Sequence, residues 1–90
     1  MVKEKQKASP ENMESQDEEH QLILHNDDFN TFDFVIETLV EVCDHEPEQA
    51  EQSAYIVHFK GKCSVKKGTY EDLKPRYDVM RNKLLTVTID

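Results

Sequence analysis

The sequence is poor in glycine, cysteine and tryptophan: its 90 residues include two glycines, two cysteines and no tryptophan. Gly61 and Gly68 form no G-x-G, and Gly61-Lys62 lacks both the earlier glycine and the following Ser or Thr of a phosphate loop, which argues against such a loop. Cys43 and Cys63 lack C-x-x-C spacing, and with the four histidines they match no common zinc site. We therefore predict two reduced thiols, no metal and no other cofactor.

Long hydrophobic runs are also missing. No stretch approaches the roughly 20 apolar residues of a membrane-spanning helix. The N-terminal residues lack the apolar core of about 7–15 residues that a secretory signal needs. Hydrophobic residues make up 37% of the chain and charged residues 33%, so a core is feasible but thin. These features predict a cytoplasmic protein of one small domain with no membrane partner.

Positive charge is scarce, since 11 basic residues stand against 19 acidic ones and the net charge is −8. This balance argues against nucleic acid as a partner and favours a cationic ligand or a basic protein surface. Asp27 and Asp28 are adjacent, so in an extended segment their side chains point apart and poorly suit paired acid-base catalysis. Cys43 lies in an apolar segment, where burial raises a thiol pKa. We expect a binding protein and not an enzyme.

The first half of the chain divides into a tail and the start of a domain. Residues 1–19 have little to bury and are predicted to be a disordered N-terminal extension, whereas residues 20–90 form one domain. The apolar run at 22–24 predicts a buried strand. A helix is predicted from a cap at 30–31 to about residue 44, and a second from 46–47 to the glycine at 61.

The second half of the chain predicts two strands and a third helix. Polar and apolar residues alternate at 62–67 and at 85–89, as in half-exposed strands. Thr69 can cap a helix, but Pro75 would then lie in its interior at a cost of about 3 kcal/mol, so the helix either kinks or begins near Lys74. The order β-α-α-β-α-β predicts an α+β fold with a three-stranded sheet backed by helices. The apolar stripe of the third helix is predicted to be Leu73, Tyr77, Met80 and Leu84.

A run of polar side chains at 25–30 follows the first predicted strand. Asn and Asp at such a position commonly bond the backbone amides of a turn. In a second interpretation, some of these oxygens face a cleft and bind a cationic donor such as an ammonium group, which has three N–H bonds to give. His58 is likewise either a hydrogen-bonded core histidine or part of a site. The pattern of residues leaves both pairs of interpretations open.

Three motifs occur in order: LHNDDF at 24–29 followed by FV at 34–35, VHFKGK at 57–62, and TYE at 69–71. With them the chain resembles the bacterial ClpS adaptors from Leu22 to Asp90. The resemblance implies a monomeric adaptor for N-degron substrates, which are proteins with a free N-terminal Leu, Phe, Tyr or Trp. Such an adaptor delivers these substrates to a ClpA-like AAA+ unfoldase with its peptidase.

The resemblance also implies roles for individual residues. Asn26, Asp27 and His58 would bind the free α-amino group, and an acylated terminus would leave their acceptors unpaired. Glu71 and Arg76 would lie on the face that docks the N-domain of the unfoldase. The side-chain pocket would be formed by Leu24, Asn30, Phe32, Val35, Ala54, Val57 and Leu84.

The chain departs from the family pattern in the implied pocket. Residues 30–32 are Asn-Thr-Phe where the family commonly has Thr-Pro-Met, and Ala54 stands where it commonly has Met. We expect an altered ranking among large first residues. Two other functions stay open: a regulator that docks on the unfoldase without binding N-termini, and a small metal-dependent enzyme that uses Asp27, Asp28 and the histidines.

Overall fold

The computed structural model describes residues 18–90, so the predicted disordered extension lies almost entirely outside the described residues. Three strands form one antiparallel sheet, in which the first strand lies between the other two. The predicted α+β fold and its order of elements are confirmed. No helix in the described part is long and apolar enough to cross a bilayer. The elements are β1 (His20–His25), α1 (Phe32–Cys43), α2 (Pro47–Lys60), β2 (Lys62–Gly68), α3 (Tyr70–Asn82) and β3 (Thr86–Ile89).

The core lies between the sheet and the helices. Leu22 and Leu24 of the central strand are fully buried, and they meet Leu39 of α1 and Leu73 and Met80 of α3. Burying each such side chain contributes about 1.5–3 kcal/mol. Because β1 is the central strand of the sheet, the polar residues that follow His25 lie at one edge of this core.

The ends of the first two helices follow from local chemistry. Thr31, and not Asn30, caps α1: its Oγ1 accepts a hydrogen bond from the N–H of Phe34 at 3.0 Å. Helix α2 begins at Pro47, which needs no N–H partner in a first turn. It ends at Gly61, whose φ of 95° is a left-handed conformation that glycine adopts without strain.

Helix α3 begins at Tyr70 and contains Pro75. Thr69 Oγ1 accepts from the N–H of Asp72 at 3.2 Å, and Leu73 in this first turn is fully buried. The cap and the burial of Leu73 stabilise the first turn although Pro75 supplies no N–H. The alternative start near residue 74 is not found.

The expected inclusion of Leu84 in the apolar stripe of α3 is wrong. The helix ends at Asn82, and Leu84 has a φ of 68° and a side chain that is 77% exposed. The N–H of Leu85 donates to the carbonyl of Met80 at 3.0 Å, which closes the helix. The left-handed residue reverses the chain, so Leu85 enters the core and Leu84 faces solvent.

The pairing of β1 with β2 contains a bulge that the alternation of residues does not reveal. Leu22 pairs with Lys66 and Ile23 with Ser64, so Val65 is an extra residue on β2. The carbonyl of Val65 accepts a hydrogen bond from Nε2 of His45 at 2.6 Å. His45 is 6% exposed, and its Nδ1 has no partner among the described residues. A side chain from the α1–α2 connection therefore satisfies a carbonyl of the bulged strand.

Arg76 joins α3 to the C-terminal end of α1. Its Nη1 donates to the carbonyl of Val42 at 2.8 Å. The guanidinium also pairs with Asp44 at 3.4 Å and with Asp72 at 3.5 Å. A cation is favourable at this end of a helix because the last carbonyls carry partial negative charge. Arg76 thus has a structural role besides the docking role implied by the resemblance.

Candidate functional site

A cleft of about 330 Å³ opens between the end of β1, the start of α1 and the second half of α2. Its volume lies at the lower end of the range of about 300–1,000 Å³ for ligand pockets, which suits one large side chain. Most of the predicted amine-binding and pocket residues meet here. The lining residues are Asn26, Asp27, Asp28, Asn30, Phe32, Val35, Ala54, Val57 and His58.

Backbone hydrogen bonds hold Asn26 beside the last turn of α2. The N–H of Asn26 donates to the carbonyl of Gly61 at 2.9 Å, and the N–H of Gly61 donates to that of Val57 at 2.9 Å. His58 follows Val57, and its side chain is exposed at the cleft. Within residues 18–90, neither the amide of Asn26 nor the ring of His58 makes a side-chain hydrogen bond. Both groups are available to a ligand.

The carboxylate of Asp27 is engaged within its own loop. Its Oδ1 accepts from the N–H groups of Phe29 and Asn30, both at 2.8 Å, and its Oδ2 accepts from Nδ2 of Asn30 at 2.9 Å. Burial raises the pKa of Asp27, but these three hydrogen bonds outweigh burial and hold it below its ordinary value. Asp27 therefore shapes the loop, as the first interpretation of the polar run predicts, and leaves a negative charge in the cleft wall.

Asn30 connects this loop by a hydrogen bond to the segment between α3 and β3. Its Nδ2 also donates to the carbonyl of Leu84 at 3.1 Å. The side chain of Leu84 faces solvent and does not line the cleft, so its predicted place in the pocket is wrong. Leu24 is 1% exposed and lies behind the cleft, next to a small space shared with Val35 and Val57.

The charges around the cleft favour a cation. Asp27 and Asp28 both line it, and Asp28, which is not among the amine-binding residues implied by the resemblance, is exposed. The last turn of α2 borders the cleft, and its carbonyls carry partial negative charge. The opposite partial charge at the start of α1 is offset by the cap of Thr31 and by Asp33 in the first turn.

Aromatic side chains that the sequence analysis did not assign to the site lie along its rim. The ring of Phe32 packs edge-on against Tyr55, with 4.9 Å between centroids. Tyr55 and Phe59 are stacked at 6.0 Å, and Phe59 meets the ring of His58 at 4.9 Å. The i, i+4 spacing of Tyr55 and Phe59 on the exposed face of α2 was the signal that could have revealed them.

The remaining candidate residues lie outside the cleft. Glu71 is exposed in the first turn of α3, and Arg76 is half-buried against the end of α1. Burial raises the pKa of the Cys43 thiol to about 11, which suits a core residue and not a nucleophile. Among residues 18–90, no three His, Cys, Asp or Glu side chains are grouped to hold a metal ion.

Asp27→Asn is expected to lower stability more at neutral pH than in acid. The folded pKa lies below the ordinary value of 3.8, so the contribution of the carboxylate is complete above that value and is lost as pH falls through the folded pKa. Urea unfolding between about pH 6 and pH 3 measures the difference in the free energy of unfolding between wild type and variant. This difference should become smaller as the pH falls. Glu51→Gln, at an exposed position, is the control. A loss of stability for Asp27→Asn that stays constant with pH would contradict this account.

Comparisons with known proteins agree with the geometry. The family model for the ATP-dependent Clp protease adaptor protein ClpS matches residues 15–86. The ClpS adapter protein of Treponema denticola is 36% identical over 70 residues, which cover 78% of this chain and 62% of that protein. That of Acetivibrio thermocellus is 38% identical over 68 residues, covering 76% and 62%. The chain thus spans less than two thirds of the length of these curated relatives.

A solved structure shares the fold. Agrobacterium tumefaciens ClpS2 bound to L-phenylalaninamide superimposes with a TM-score of 0.69 at 19% identity, covering 80% of this chain and 94% of that one. The family match extends over most of the described domain, including β1, all three helices and the residues that line the cleft. The chain therefore belongs to the ClpS family of ATP-dependent Clp protease adaptor proteins.

Proposed function

We propose that the chain binds proteins with a free N-terminal Leu, Phe, Tyr or Trp and delivers them to a Clp AAA+ unfoldase. The observation that carries this proposal is the cleft itself, in which apolar walls adjoin the amide of Asn26 and the ring of His58, neither of which makes a side-chain hydrogen bond within residues 18–90. Membership of the ClpS family supports it. So does the ligand of Agrobacterium ClpS2, because L-phenylalaninamide combines a free amino group with a large apolar side chain.

In the proposed complex, the first residue of the substrate is bound in two ways: its amino group by hydrogen bonds and charge, and its side chain by apolar contact. An α-amino group has a pKa of about 7.7–8.0, so near neutral pH it is mostly an ammonium with three donors. The Asn26 side-chain oxygen and a ring nitrogen of His58 accept two of them, while Asp27 and Asp28 supply negative charge. The attached side chain enters the cleft, where burial of a large apolar group contributes about 1.5–3 kcal/mol.

The apolar part of the cleft is expected to set the ranking among first residues. Its walls are Phe32, Val35, Ala54 and Val57. Ala54 contributes only a methyl group to the lining, while the ring of Phe32 packs against Tyr55. Long or planar side chains fit such a shape better than β-branched ones, whose two substituents lie close to the backbone.

We further propose that the first half of α3, with Glu71 and Arg76, contacts the N-domain of the unfoldase. Glu71 is exposed there, and Arg76 lies five residues further along the helix. The free thiols of Cys43 and Cys63 support the proposal that the protein works in the reducing cytoplasm. We propose a monomer, since one chain contains every residue of the cleft.

The test is fluorescence anisotropy with four labelled peptides that differ only at the first residue: free Leu, free Phe, N-acetylated Leu and free Ala. We expect binding of the first two alone, because acetylation removes charge and donors and Ala leaves the cleft unfilled. Association with a purified Clp unfoldase N-domain is the second readout. If no peptide binds and the N-domain still does, the chain is a docking regulator and the proposal for the cleft is wrong.

A further inference from the structure

Two aromatic rings of α2, Tyr55 and Phe59, form a flat apolar surface beside the cleft, here called the aromatic platform. Their planes are 9° from parallel with 6.0 Å between centroids. Tyr55 is 49% exposed and Phe59 is 73% exposed, so neither ring serves mainly to cover the core. Grouped exposed apolar side chains of this kind are typical of interaction sites.

The platform is continuous with the cleft at two points. Tyr55 touches Phe32, which forms one wall of the cleft, and Phe59 touches His58, which lies at its mouth. A peptide that leaves the cleft between these two contacts passes over the platform. The platform is therefore an extension of the binding surface and not an isolated patch.

The spacing of an extended peptide selects which of its residues reaches the platform. Side chains alternate between two faces, and each residue advances the chain by about 3.4 Å. When the first side chain points into the cleft, the second points away from the protein. The third points back toward it, about 7 Å further along. The third side chain is therefore the first one beyond the cleft that can reach the platform.

We propose that the aromatic platform binds the side chain of the third residue of the substrate and prefers an aromatic ring there. Two stacked, exposed rings present both a face and an edge to a third ring. Such aromatic pairs contribute binding free energy beyond that of the buried apolar area. This inference rests on the proposed function, because the first residue must occupy the cleft. It adds a position of sequence preference beyond that residue.

The experiment compares three peptides with free N-termini, Leu-Ala-Ala, Leu-Ala-Phe and Leu-Phe-Ala, each continued by the same polar segment and label. Phenylalanine at the third position should tighten binding about three- to ten-fold over alanine, and at the second position it should have little effect. In Phe59→Ala, the ratio between Leu-Ala-Phe and Leu-Ala-Ala should fall to about one. Val79→Ala, which removes an exposed apolar side chain from α3, should keep the ratio of the wild type.

The outcomes separate this inference from the proposed function. Equal affinities for Leu-Ala-Ala and Leu-Ala-Phe, or a preference at the second position, overturn the inference while the proposed function stands. A preference at the third position that persists in both Phe59→Ala and Tyr55→Ala overturns it as well. Failure of Leu-Ala-Ala to bind overturns the proposed function, and the inference falls with it.

Discussion

Asn26→Ala and His58→Ala are each expected to weaken binding of a peptide with a free N-terminal Leu by about 10- to 100-fold. Each variant removes an acceptor for an ammonium donor, and hydrogen bonds to charged groups contribute about 1.5–3 kcal/mol. Both side chains are exposed, and neither makes a side-chain hydrogen bond within residues 18–90. Their loss should therefore change the free energy of unfolding by less than about 0.5 kcal/mol.

Anisotropy titration gives the affinities, and urea unfolding of the same samples gives the stabilities. Asn82→Ala is the matched control for Asn26→Ala, because it removes an exposed amide at the end of α3 that does not line the cleft. An affinity within two-fold of wild type for both cleft variants would show that the amine is bound elsewhere. Weakened binding that only accompanied a large loss of stability would count against a direct contact.

His45→Ala is expected to destabilise the domain by about 3 kcal/mol. It leaves the carbonyl of Val65 without its donor, which costs about 1–3 kcal/mol for a buried group, and it opens a cavity where the ring packs. Because that carbonyl belongs to the bulged residue of β2, no neighbouring strand is placed to replace the donor.

Chemical unfolding monitored by circular dichroism measures this change. His58→Ala supplies the control, since the residue type is the same and the side chain is exposed. The two histidine variants should give opposite results: His45→Ala should lose stability and keep the affinity for peptides when folded, and His58→Ala should do the reverse. A loss below about 1 kcal/mol for His45→Ala would show that the bulge is satisfied in another way.

The elements of this fold could be predicted because their signals are local. Thr31 and Thr69 as helix caps, Gly61 as a helix end and the alternation in the strands all depend on neighbouring residues. The start of α3 could not be predicted as well. The free-energy cost of Pro75 inside a helix is opposed by the burial of Leu73, and that burial depends on residues far along the chain.

The candidate site was predicted mainly from the resemblance, and its errors have physical causes. The resemblance placed Leu84 in the pocket and helical periodicity placed it on the apolar stripe of α3, but the helix ends at Asn82 and the left-handed backbone of Leu84 turns its side chain to solvent. The local hydrogen bonds of Asp27 follow from general turn chemistry. The bond from His45 to Val65 spans 20 positions and has no pattern in the sequence.

The direction of β1 has a practical consequence for attachments to this domain. The strand runs from His20 to His25, about 17 Å at 3.4 Å per residue, and the cleft lies just beyond its second end. The preceding residues join the domain at its first end. The cleft and anything fused ahead of His20 are therefore at opposite ends of the same strand. A fluorophore or a fused protein attached just ahead of His20 is thus separated from the cleft by the length of β1.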